Sequence, residues 1–179
     1  MGYRGNAGQY LTLWNRATPP FSFTISTATM IGCYIQPNVA GKLVGLSAFL
    51  AARTGGFVSY GFVADDSGLT NKISYVNFEG YKKNTSVAGW TSGFIHPIQH
   101  LAAHQRYKLG VVYFAGNSTS VPCMLNGTNS GTDRTVGSFV IPHTTTSVPN
   151  GGTTTGLTIA LTGTMNGFIP AIDVLFLPD

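Results

Sequence analysis

The sequence predicts an all-β protein, an antiparallel jelly-roll-like β-sandwich of about ten short strands with an extended N-terminal arm. Three observations lead there. Charged residues make up 9% of the 179 residues, against about 25% in ordinary globular domains, so the surface must be covered by uncharged groups. Abundant Thr, Ser and Asn supply that cover, and the 23 glycines supply turns, a composition suited to pleated strands joined by tight connections. Finally, β-branched and aromatic runs recur between turn signals, with no long stretch of helical periodicity.

Residues 1–20 form the arm. Gly2, Gly5, Gly8, Pro19 and Pro20 surround the apolar stretch Tyr10, Leu11, Leu13, Trp14, which reads as one short strand needing a surface to lie on, and so as a docking arm. Residues 21–179 form the single sandwich domain, within the size that one core supports. Its first strand, Phe21-Ser-Phe-Thr-Ile25, alternates apolar and polar residues as a half-buried strand does. Further strands are expected at 29–35, 42–51, 57–64, 72–78, 91–95, 107–115, 136–141, 157–161 and 169–177. The pair 57–64 and 72–78 should form a hairpin, because Asp65-Asp-Ser-Gly-Leu-Thr-Asn71 is rich in turn formers. Two polar stretches, 126–133 and 144–155, read as long loops.

Charge and hydropathy narrow the function classes. The net charge of +4 comes from ten scattered Lys and Arg set against six acids. A phosphate-binding stripe would be clustered, so nucleic acid is not an expected partner. No apolar run approaches the roughly 20 residues that cross a bilayer, and membrane insertion is not expected. Cys33 and Cys123 do not imply a disulfide framework and read as free, partly buried thiols.

Each motif with chemical potential has a plainer reading. His96, His100 and His104 are spaced to share one face of a helix and chelate a metal. Pro97 breaks such a helix, no metalloprotease Glu follows, and the three read as surface or turn histidines. Asp65 and Asp66 suit a hairpin turn better than a carboxylate pair, with Glu79 the only glutamate in the chain. Ser59 lacks the flanking glycines of a nucleophile elbow. No catalytic residue, metal site or cofactor is therefore expected. Among the aromatics, Trp90, set between Gly89 and Gly93, and Tyr81 are the candidate glycan or interface contacts, with Tyr113 and Trp14 as further members of a sugar-stacking platform. Core or subunit-interface packing is the competing reading for all of them.

Several segments, taken together, resemble small β-sandwich proteins of tailed-bacteriophage virions, of minor tail, tail-tip or capsid decoration type. These are themselves similar to carbohydrate-binding-module jelly rolls. The segments are Gly41-Lys-Leu-Val-Gly-Leu-Ser-Ala-Phe-Leu-Ala-Ala52, Val58-Ser-Tyr-Gly-Phe-Val-Ala-Asp-Asp-Ser-Gly68, Gly89-Trp-Thr-Ser-Gly93, Leu101-Ala-Ala-His-Gln-Arg-Tyr-Lys-Leu-Gly-Val-Val112 and Ile172-Asp-Val-Leu-Phe-Leu177. One departure is His104, where the resemblance leads one to expect glycine ahead of the Tyr107 strand. The resemblance implies a non-enzymatic virion subunit, assembled in the host cytoplasm, homo-oligomeric and partnered by other virion proteins. Binding of host-surface glycan is the alternative, and a metal-dependent enzyme using the three histidines is the remote one.

Overall fold

The computed structural model describes residues 10–25, 29–51, 59–65, 73–78, 88–113, 119–125, 133–142, 145–149 and 169–179. Among these residues the protein is all-β, with thirteen strands: β1 (Phe21–Ile25), β2 (Thr29–Pro37), β3 (Gly41–Leu50), β4 (Ser59–Asp65), β5 (Ile73–Asn77), β6 (Gly89–Leu101), β7 (Tyr107–Tyr113), β8 (Thr119–Leu125), β9 (Arg134–Val136), β10 (Phe139–Ile141), β11 (Thr145–Pro149), β12 (Ile169–Pro170) and β13 (Ile172–Pro178). Every pairing is antiparallel.

The main sheet runs β13-β3-β6-β5-β4-β7-β2-β10-β9, with β11 also on β2. Its two halves meet at β6. In one half β3 lies between β13 and β6; in the other β7 lies between β4 and β2. This interleaving of distant strands is that of a jelly roll folded from two Greek keys. Leu11 adds an isolated antiparallel bridge to Phe176 on the outer side of β13, so the arm takes the place of a first strand. A small sheet, β1-β8-β12, stands beside the main one. Strands β12 and β13 are one run bent at Ala171, whose N–H reaches Pro122 (2.9 Å) and whose carbonyl accepts from Phe49 (2.9 Å), so the chain passes there from the small sheet to the large one.

Apolar side chains from both halves and from the small sheet form the buried cluster. It includes Cys33, Ile35, Leu43, Leu46, Leu109, Val111, Val121, Phe139 and Phe176. The rings of Phe139 and Phe176 meet edge to face at 5.4 Å and 74°, a favoured aromatic geometry. Gly41 is needed beside them: a Cβ there would meet the Phe176 ring and the backbone of Leu177.

Several expected elements differ in detail, each for a local reason. The predicted hairpin pairs Tyr60 with Asn77 through Ala64 with Ile73. Stretch 136–141 is a hairpin rather than one strand, because Gly137 turns the chain at a φ of 56°. Strand β8 is not among the expected strands; its Pro122 lacks a donor but still supplies its carbonyl to Ala171. Residues 145–149, expected in a loop, pair with β2 as β11, since Thr145 and Thr146 suit a strand as well as a loop. The strand expected at 91–95 extends to Leu101 despite Pro97. It does so through an irregularity in which Val44 alone faces residues 95–98 between the pairs Leu43–Gln99 and Gly45–Phe94, leaving the proline where no ladder bond is required. The strand expected at 157–161 lies outside the described residues, as do Asp66 and all but Asp133 of 126–133.

Cys33 and Cys123 are free and both fully buried, deeper than the partial burial expected. Burial pushes each thiol from 9.0 up to about 12, so above about pH 9 the unfolded chain gives up protons that the folded chain keeps. Below pH 9 neither state is penalised. From pH 9 toward 12 stability should fall by up to about 1.4 kcal/mol per pH unit for each thiol. Urea midpoints at pH 8, 9 and 10 should show this slope, and a Cys33→Ala, Cys123→Ala variant should lose it. An unchanged slope would assign the loss to other groups.

Candidate functional site

Among the described residues, two places on the surface bring chemically distinctive groups together: the seat of the arm on β13, and a ridge on β6. The arm's seat is built around Asp173, one of the chain's six acids. It sits in an otherwise apolar strand and is only 1% exposed. A buried carboxylate must be compensated by donors or by opposite charge, and here the donors are backbone amides. Oδ1 accepts from the N–H of Leu13 (2.6 Å), Trp14 (3.2 Å) and Val174 (2.8 Å), and Oδ2 from that of Arg16 (2.9 Å).

The local sequence makes this convergence possible. Asn15 and Arg16 both adopt left-handed backbone, with φ of 48° and 52°, which curls the arm around the carboxylate; asparagine is among the residues that tolerate this region best. The remaining donors in the turn are also satisfied. Asn15 N–H donates to Thr12 Oγ1 (3.2 Å) and Ala17 N–H to the Trp14 carbonyl (3.0 Å). Leu11 exchanges two main-chain bonds with Phe176, at 2.8 and 3.0 Å, and the Trp14 indole N–H caps the Ile172 carbonyl at 2.9 Å. The outer edge of β13 is thereby closed at residues 172, 174 and 176, which protects it against pairing with stray strands.

The arm residues predicted to dock on a neighbour are thus seated on this domain. Leu11 is half-buried, Leu13 is 5% exposed and part of the buried cluster, and Trp14 packs against that cluster. Tyr10 alone of the four is open to solvent. Trp90 also has a place in this arrangement: its indole N–H reaches the Ala17 carbonyl (3.2 Å), and its ring meets Phe49 edge to face at 5.7 Å. Tyr81 lies outside the described residues. The sequence carried one signal for Asp173, a lone acid inside an apolar strand, which must find donors or face water.

The ridge is the irregular middle of β6. Phe94 is 78% exposed and Ile98 59%, while Ile95 between them is buried. His96 and Pro97 are exposed as well, so the exposed stretch is apolar apart from one imidazole and carries no Lys, Arg, Asp or Glu.

The three histidines are not gathered on a helix. His96 and His100 lie on β6, where four residues of extended chain span about 13 Å, and His100 Nε2 is 2.9 Å from Asp179 Oδ2. His104 occupies a turn at a φ of 58°, with its N–H bonded to the Pro37 carbonyl at 2.7 Å. That is the left-handed geometry for which glycine is the usual residue and histidine a tolerated one. Among the described residues no group of three or more His, Cys, Asp or Glu is placed to hold a metal ion, and no helix is long and apolar enough to cross a membrane.

Comparison with protein-family models, curated proteins and solved structures gives no match.

Proposed function

We propose that the chain is a non-enzymatic structural protein of a phage virion, an accessory β-sandwich subunit of the tail or of the capsid exterior. The observation that carries this reading is the ridge without Lys, Arg, Asp or Glu around Phe94 and Ile98, the two most exposed large apolar side chains among the described residues. Burying a large apolar side chain contributes roughly 1.5–3 kcal/mol, and exposed apolar clusters of this kind favour contact with other proteins. A chain with 9% charged residues has little charged surface to repel such contact. The jelly-roll order and the resemblance of the segments above support the same reading.

The test is quantitative mass spectrometry of purified particles from cells expressing the chain, combined with a Phe94→Ser, Ile98→Ser variant. Fixed copies per particle are expected, and a loss of incorporation of at least about tenfold in the variant, the effect of removing two buried contacts. The melting temperature should stay unchanged because both side chains are already exposed. Absence of the chain from particles would overturn the reading.

A further inference from the structure

We propose that the seat on β13 is a receptor for residues 11–17 of a second copy of this chain, so that neighbouring subunits exchange arms. The ligand chemistry is already on display. The seat takes a short extended peptide by its main chain, through three amides on Asp173 and two bonds on Phe176, with Leu13 filling an apolar socket. A seat left empty would take three amide donors from the Asp173 carboxylate and open the buried cluster at Leu13, both costly. Another copy of the same segment carries the same donors at the same spacing, so exchange replaces every contact by an identical one. That equivalence makes swapping of a terminal element an inexpensive route to assembly.

The topology permits it. Leu11 lies on the outermost edge of the main sheet, so the arm can leave without disturbing any other strand. Residues 18–20 connect the arm to β1; Thr18 and Pro20 are exposed, and Pro19 and Pro20 have no N–H with which to bind back. In dilute solution the arm's own seat wins, because the tether holds it there at an effective concentration on the order of millimolar. Where neighbours are held side by side, the contest becomes even. This inference deepens the structural-subunit reading and rests on it for where copies meet; exchange itself is a property of the isolated chain.

The experiment uses full-length protein. One preparation carries the photo-cross-linker p-benzoylphenylalanine in place of Tyr10, which is exposed and next to Leu11; the other is 15N-labelled and otherwise unaltered. After mixing, irradiation and digestion, mass spectrometry reads whether the β13 peptide attached to the probe is light, from the same preparation, or heavy, from the labelled one. Heavy β13 adducts are expected, rising about tenfold for a tenfold increase in dilute protein. Asp173→Asn on the heavy copy should reduce them at least about fivefold. Light adducts alone at every concentration overturn the proposal, as do heavy adducts that fall on other surfaces. If Asp173→Asn does not fold, the unaltered mixture decides by itself. Particle incorporation without exchange would sink this inference alone, whereas exchange by a chain absent from particles would sink only the structural-subunit reading.

Discussion

Asp173→Ala should lower the unfolding free energy by about 3 kcal/mol, seen as a drop in melting temperature of about 6–12 °C. The substitution removes the acceptor for Leu13, Trp14 and Arg16 amides in one step, and each charge-assisted bond of this kind contributes about 1.5–3 kcal/mol. The full sum is not expected. Once its anchor is gone the arm can lift away and rehydrate its amides, so the loss is limited by the cost of undocking the arm. Asp173→Asn should fall between wild type and alanine, because one amide oxygen still accepts while the NH2 group faces other donors. A loss below about 1 kcal/mol in urea titrations would mean that the clamp adds little to stability.

The second large effect is expected at Phe176. Phe176→Ala should cost about 3–5 kcal/mol, because the side chain is fully buried, packs edge to face on Phe139 and lies directly against Gly41. Phe176→Leu should recover most of this, since it refills the space without the aromatic contact. Phe176 is also where the main chain of the arm meets the sheet. The two sites therefore share a partner, and a double variant should be less destabilised than the sum of the singles, because the arm can be lost only once. Full additivity would show that the arm and the core at Phe176 are energetically separate.

How much of this was legible in the sequence depends on how local the cause is. The β4–β5 hairpin was readable because the sequence between the two apolar runs, 65–71, is rich in turn formers. β1 was readable from its alternation, with Ser22 and Thr24 between its apolar residues. Strands β8 and β6 were missed or cut short because Pro122 and Pro97 carry strong local signals that the sheet overrides, one by using only the carbonyl and the other by bulging. Asp173 was recognised only as an acid, since its donors are about 160 residues away in sequence. The arm's need for a covering surface was visible in Leu11, Leu13 and Trp14. That its own domain supplies one follows from topology, which brings the last strand beside the first described residues. Phe94 falls in the expected strand 91–95, where alternation with the buried Thr91 and Ile95 puts it outward, whereas Ile98 lies beyond that expected strand, in the irregular stretch that faces Val44.

The clamp reads the arm through backbone amides, and this sets which substitutions the arm can accept over evolutionary time. At positions 12–16 the demand on side-chain identity is confined to Leu13 for volume, Thr12 for its hydroxyl and Trp14 for its indole N–H. Asn15 and Arg16 need only tolerate left-handed backbone. Proline is the forbidden residue at 13, 14 and 16, because it removes the one atom the carboxylate requires. Homologous chains should therefore keep the aspartate and the curl of the arm while the sequence between them drifts.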